Sequence, residues 1–245
     1  MSITFSLLKM IAGKLFKVLS DDPLEMFGEK LQGFRNSTED TEAGLSLKTE
    51  IEVREIKDGT LIGDFYRDNI VYLGLKEGKK PAVSTSKISF FIRSLVGQTF
   101  LLILAKKRIA NEIANTLSKI LFMKPGTIVE ARIDPEAFLE YYRRSLEETR
   151  VAFFDQVDIP SVNVLALYGE GLSDTELFKE YQTHGLLWYI VVKVRSANQI
   201  IGLTRNSVIT IFSQGTQEDI VKYAFNEVIP LFKPASPPPP ADILR

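Results

Sequence analysis

Cysteine is absent from this 245-residue chain, which excludes a disulfide framework, a thiolate metal site and a cysteine nucleophile. Histidine occurs once, at His184, so a Ser–His–Asp constellation has a single possible base, and no Gly-x-Ser-x-Gly elbow presents a serine. His184 precedes Gly185 at the end of a short helix pattern, where a cation complements the helix dipole, and a structural role is expected for it. Gly-Lys-Ser/Thr phosphate loops are missing, and Gly169–Gly171 falls far short of a dinucleotide fingerprint. An excess of either charge is missing as well. Thirty Lys plus Arg against 31 Asp plus Glu leave −1, unlike a uniformly basic nucleic-acid binder. No run approaches the ~20 apolar residues of a membrane span, and cytoplasmic location is the expectation. Asp155 with Asp158, or Asp64 with Asp68, could hold Mg²⁺ beside a substrate phosphate. Strand-end turns use Asp anyway, and the reading is a non-enzymatic chain without catalytic residue, cofactor or metal.

What is present is a core's worth of apolar residues, 45% of the chain, in changing periods. Phe5, Leu8, Ile11, Leu15 and Val18 recur at three- and four-residue steps, with Lys9, Lys14 and Lys17 elsewhere on the wheel. They predict an amphipathic N-terminal helix docked on the body or on a partner through Leu8, Ile11 and Leu15. Helix and exposed linker are expected over Ser20–Thr41. From Leu47 the period becomes two, and strands are expected near Leu47–Arg54, Leu61–Tyr66, Ile70–Lys76, Ser86–Arg93 and Thr99–Leu104, with a hairpin turn at Lys57–Thr60. Ile109, Ile113, Leu117 and Ile120 mark a helix that Pro125-Gly126 closes. Asp134-Pro135 starts another. The strand Val162–Tyr168 and a capping box at Ser173–Glu176 follow, then strands over Leu186–Arg195, Gln199–Thr204 and Ser207–Phe212, and a last helix through Val221, Phe225, Val228 and Phe232. Pro237–Pro240 predict an extended tail.

The fold class expected is α+β: two related antiparallel sheet units, each covered by a C-terminal helix, behind the amphipathic helix. The division is 1–45 for the helical segment and linker, 46–126 and 127–233 for the two units, and 234–245 for the Pro-rich tail.

Charge is blocked rather than mixed. Gly78–Asn111 and Tyr181–Gln217 contain no acid, yet hold Lys87, Arg93, Lys106, Lys107 and Arg108 in the first window and Lys193, Arg195 and Arg205 in the second. These eight are the candidate nucleic-acid-binding residues, since a basic sheet face attracts phosphates even on a neutral protein. Lys106-Lys107-Arg108 stand where a helix starts, a position the macrodipole reserves for acids and anions. Phe90, Phe91, Phe100, Trp188, Tyr189 and Phe212 interleave with these charges. On strands alternate ones face opposite sides, so some belong to the core while others could stack on bases.

The order strand (Val162–Tyr168), short helix (Asp174–Thr183), antiparallel strands (Leu186–Phe212) and long helix (Glu218–Phe232) resembles one repeat of the TATA-binding-protein-like fold. That resemblance implies helices on one face of a curved sheet and nucleic acid or a partner on the other. The chain also looks like two-part α+β proteins of archaea, and like the sheet-rich N-terminal half of a split prokaryotic Argonaute, which would imply contact with a guide or target backbone beside a catalytic partner. The leading expectation is a nucleic-acid-associated accessory module, contacting DNA or RNA. The alternatives are a protein–protein scaffold or homodimer, and a small-ligand module in the concavity between sheet and helices.

Overall fold

A computed structural model describes residues 10–76, 78–95, 97–144, 149–169, 172, 175–194 and 198–232. Among them, twelve strands form one antiparallel sheet. The expected pair of sheet units is therefore corrected: the two halves of the chain are joined edge to edge through a strand contributed by the N-terminus. That strand, β1 (Ile11–Val18), was expected to be helical. It pairs on one side with β6 (Gln98–Ile103), Lys14 facing Ile103. On its other side it pairs first with β12 (Val208–Ile211), Lys14 facing Val208, and then with β7 (Ile128–Glu130).

The reason is that both faces of β1 are covered. Leu15 enters one core while Phe16 and Val18 enter another, so the strand is apolar on both sides and shows no period of two. Its lysines create the false helical rhythm. Lys14 is buried and bonded inside, and Lys17 lies half-buried over the Phe232 ring, 4.8 Å from its centroid.

From β6 outward on the first flank run β5 (Gly78–Leu95), β4 (Thr60–Leu75), β3 (Leu45–Lys57) and the edge β2 (Arg35–Asp40), where linker was expected. The β3–β4 turn has Asp58 and Gly59 at φ 49° and 68°, the left-handed pair that matches strand twist in a two-residue hairpin. The second flank runs β12, β11 (Gln199–Thr204), β10 (Leu186–Val194), β8 (Thr149–Asp155) and the edge β9 (Leu165–Tyr168).

Two cores lie on opposite faces. On one, α1 (Leu24–Leu31) and α2 (Lys107–Phe122) bury Phe27, Leu31, Ile113 and Leu117 against Phe65, Phe90, Leu101 and Ile103. On the other, α3 (Pro135–Arg144), α4 (Glu176–His184) and α5 (Gln217–Tyr223) with its π-helical continuation Ala224–Val228 bury Phe138, Phe178 and Phe225 against Phe100, Leu102, Phe154 and Ile190. Strand β6 serves both, since Phe100 and Leu102 alternate with Leu101 and Ile103 and all four are fully buried.

Because α1 and α2 sit over the first flank, and α3–α5 pack on the reverse face of the second, no helix among the described residues covers the α2 face over β8–β12. Asp134 caps α3 by accepting from the Glu136 and Ala137 amides, as expected, and Thr216 caps α5. The cap of α4 is Thr175, which accepts from Phe178 N; Ser173 and Asp174 of the expected capping box lie outside the described residues. No helix among the described residues is long and apolar enough to cross a membrane.

Candidate nucleic-acid interface

The open face of β8–β12 carries an aromatic cluster. Ala152, Phe154 and Leu167 point into the α5-side core, so Phe153 and Tyr168, at the intervening positions, project from the α2 face. Leu187 pairs with Phe154 and Tyr189 with Phe153, leaving Trp188 as the extra residue of a β-bulge. A bulge breaks strict alternation, and here Trp188 and Tyr189 both reach Phe153, at centroid distances of 6.0 and 5.5 Å. Tyr168 meets the same ring edge-on at 5.6 Å, and Trp188 and Tyr189 lie 5.8 Å apart. Tyr168 is 69% exposed. Gly202 gives Tyr189 its place: a Cβ there would stand 2.8 Å from the Tyr189 hydroxyl and 2.9 Å from the Phe212 ring. Burial, with Tyr168 adding to it, pushes the Tyr189 phenol pKa up, so Tyr189 stays a neutral hydrogen-bonding group.

The register carries this face across the sheet. Tyr189 lies over Gly202, Gly202 pairs with Thr210, and Thr210 pairs with Ala12. Two residues further along β1, Lys14 on the same side meets Asn111 of α2, Nζ to Oδ1 2.6 Å. The rings and the start of α2 therefore share one side of the sheet, about 24 Å across from β9 to β1 at ~4.8 Å per strand.

Lys14 is fully buried and ion-paired with Glu130 of β7. Burial lowers its ammonium pKa against the opposing pull of Glu130, and Lys107 and Arg132 are close enough to lower it further. The hydrogen bond from Lys14 holds the Glu130 carboxyl below its ordinary range.

The candidate cations divide by face. Lys106 sits at the N-cap of α2 without a side-chain cap and Lys107 follows it; both are exposed, and Lys107 lies near enough to Glu130 to help hold its carboxyl low. Arg108 is held by Glu112 at 2.7 Å. Lys193, two residues beyond Val191 and four beyond Tyr189, lies on the side of the rings. Arg205 is committed within the fold, gripping Asp155 through two bonds of 2.9 Å and donating to the Leu187 carbonyl at 3.1 Å, beside the bulge. That pairing neutralises Asp155, the only acid in the sequences of β8–β12.

Lys87 and Arg93 lie on the opposite face. Lys87 is 3.0 Å from the buried Asp64, whose carboxylate also meets Arg54 at 3.1 Å and Ser89 at 2.7 Å, and that bond raises the Lys87 pKa. Arg93 stacks 5.4 Å from the Phe225 ring centroid in a cleft of about 550 Å³ between β3–β5 and α5, rimmed by charges of both signs. Arg195 and Leu8 lie outside the described residues. Leu15 is fully buried and Ile11 packs against the same core, so the surface expected for a partner on these two is interior. His184 bonds Asp158 at 2.8 Å, Nδ1 to Oδ1.

Of the interleaved aromatics, Phe90, Phe91 and Phe100 are core, whereas Trp188, Tyr189 and Phe212 face the open side. Phe153 and Tyr168 were not anticipated. The signal for Phe153 is the run Val151-Ala152-Phe153-Phe154, which has the aromatic content of a strand buried on one face and aromatic on the other; Tyr168 ends the expected strand Val162–Tyr168. Neither a protein-family model nor any curated protein sequence matches the chain.

Proposed function

We propose that the chain is a non-enzymatic module that binds single-stranded nucleic acid across the open face of β8–β12. Bases stack on Tyr168, Phe153, Tyr189 and Trp188, and backbone phosphates lie toward Lys193, Lys106 and Lys107. One observation carries this reading: a four-ring cluster, Tyr168 exposed and Phe153, Trp188 and Tyr189 half-buried beside it, lies on a sheet face that no helix among the described residues covers, on strands whose single acid is neutralised by Arg205. Aromatic faces accept any base, and a single strand can splay its bases onto a sheet, whereas a duplex keeps its base faces stacked inside and offers only phosphates and base edges. The net charge of −1 suits local rather than indiscriminate binding.

Trp188 is the sole tryptophan, so its emission reports on the site directly. Titration with a thymidine oligomer of about 12 nucleotides, within the site sizes single-strand binders use, is expected to quench it. Log K is expected to fall against log salt with a slope near −1.4 to −2.1, for two to three phosphates neutralised. Emission unmoved at low salt, or equal affinity for a duplex, would contradict the proposal.

A further inference from the structure

Strands β4 and β5 outrun their neighbours. β3 follows β4 only as far as the Thr49–Arg67 pair, and β6 joins β5 only from the Phe90–Ile103 pair. Among the described residues, Asp68–Leu75 and Gly78–Thr85 consequently pair in the ladder with each other alone, as a two-stranded ribbon about 27 Å long at ~3.4 Å per residue. An isolated ribbon is marginal in water, and this one is apolar on both sides: Val71, Leu73 and Leu75 are 38, 51 and 51% exposed on one, Tyr72 and Val83 64 and 41% on the other. Pro81 blunts the β5 edge by removing a donor. The β4 edge from Val71 to Leu75 has no ladder partner among the described residues, and its outward N–H and C=O groups are a template for another strand.

We infer that this edge pairs with the same edge of a second copy of the chain, antiparallel and centred near Leu73. An identical strand turned by two-fold symmetry is its own complement, and such an interface closes at two copies. Charge fits the same arrangement. Lys76, Lys79 and Lys80 at the tip of one ribbon would face the β4 side of the other, toward which the registers Asp40–Leu45 and Thr49–Arg67 carry the acidic β2–β3 turn with Asp40 and Glu42. A nucleic acid would meet mostly apolar side chains on the ribbon, and a bilayer would meet the charged tip first. The inference is independent of the proposed single-strand binding.

Light scattering on the full chain is expected to give twice the 27.6 kDa chain mass, and Val71→Lys with Leu73→Lys is expected to give one chain mass at the same concentration with a native circular-dichroism spectrum and a melt that no longer depends on protein concentration. Because the chain lacks cysteine, Leu73→Cys supplies a single thiol next to the two-fold axis, where Cα atoms approach within disulfide reach. It is expected to form an oxidised dimer at least ten times faster than Tyr168→Cys at the far edge of the sheet. A monomeric wild-type chain, a dimer untouched by the lysines, or equal cross-linking by the two cysteine variants would overturn the inference.

Discussion

Replacing Glu130 by Ala is expected to lower stability by about 3–5 kcal/mol, the usual cost of stranding a buried charge. Lys14→Met, at the other end of the same ion pair, is expected to cost no more than about 1.5 kcal/mol. The asymmetry comes from burial. Lys14 is fully enclosed, and without Glu130 its ammonium keeps one bond, to Asn111. Glu130 is 29% exposed and retains Arg132 at 3.5 Å when Lys14 is gone.

The pH dependence follows in sign. The Glu130 carboxyl is held below its ordinary value, so the unfolded chain binds the proton more tightly. Its contribution is complete above the ordinary carboxylate range and is lost as pH falls through the folded value. The Lys14 ammonium is also lowered, so stability rises with pH between its folded value and the ordinary lysine value of 10.5. Urea denaturation at a series of pH values checks both limbs. In Glu130→Ala the acid limb is expected to flatten, and the deficit against wild type to shrink as pH climbs toward the lysine range.

Tyr168→Ala is expected to weaken single-strand binding by about 5- to 150-fold, the range for losing one stacked base, while shifting stability by no more than about 0.5 kcal/mol. Tyr168 suits this test because it is 69% exposed at the sheet edge, and Trp188 stays in place to report binding. Phe153, which touches the other three rings, is expected to cost more in both quantities when truncated. Lys87→Ala, on the far face and committed to Asp64, is expected to leave binding unchanged within about twofold, since an engaged cation on the reverse face neutralises no phosphate of the bound strand.

Local features of the fold were legible in the sequence because their causes are local. The Asp58-Gly59 turn, the Asp134-Pro135 helix start, the apolar face of α2 and the strands after Leu186 each follow from neighbouring residues. The joining of the sheet was not legible, because it rests on Ile11 meeting Ile211 across nearly the whole chain, and no periodicity records a pairing so distant. Strand β1 was misleading for a related reason: covered on both faces, it lost its alternation, and its buried lysine looked like a polar side. The cations were identified by type, but their assignment to one face was not available. Acid-free windows do not tell exposed Lys106 at the start of α2 from Lys87 and Arg205, which bind Asp64 and Asp155. At Trp188 strict alternation would have sent two neighbouring rings to opposite faces, and the bulge that gathers them leaves no mark in sequence.

The most direct measurement is photo-cross-linking of the full chain to a single strand bearing 5-iodouracil, with the attached peptides located by mass spectrometry. Attachment is expected at Tyr168, Phe153, Trp188 or Tyr189, and to fall away in Tyr168→Ala. Cross-links confined to the β4–β5 ribbon or to the Arg93 cleft, or none at low salt, would contradict binding on the open aromatic face.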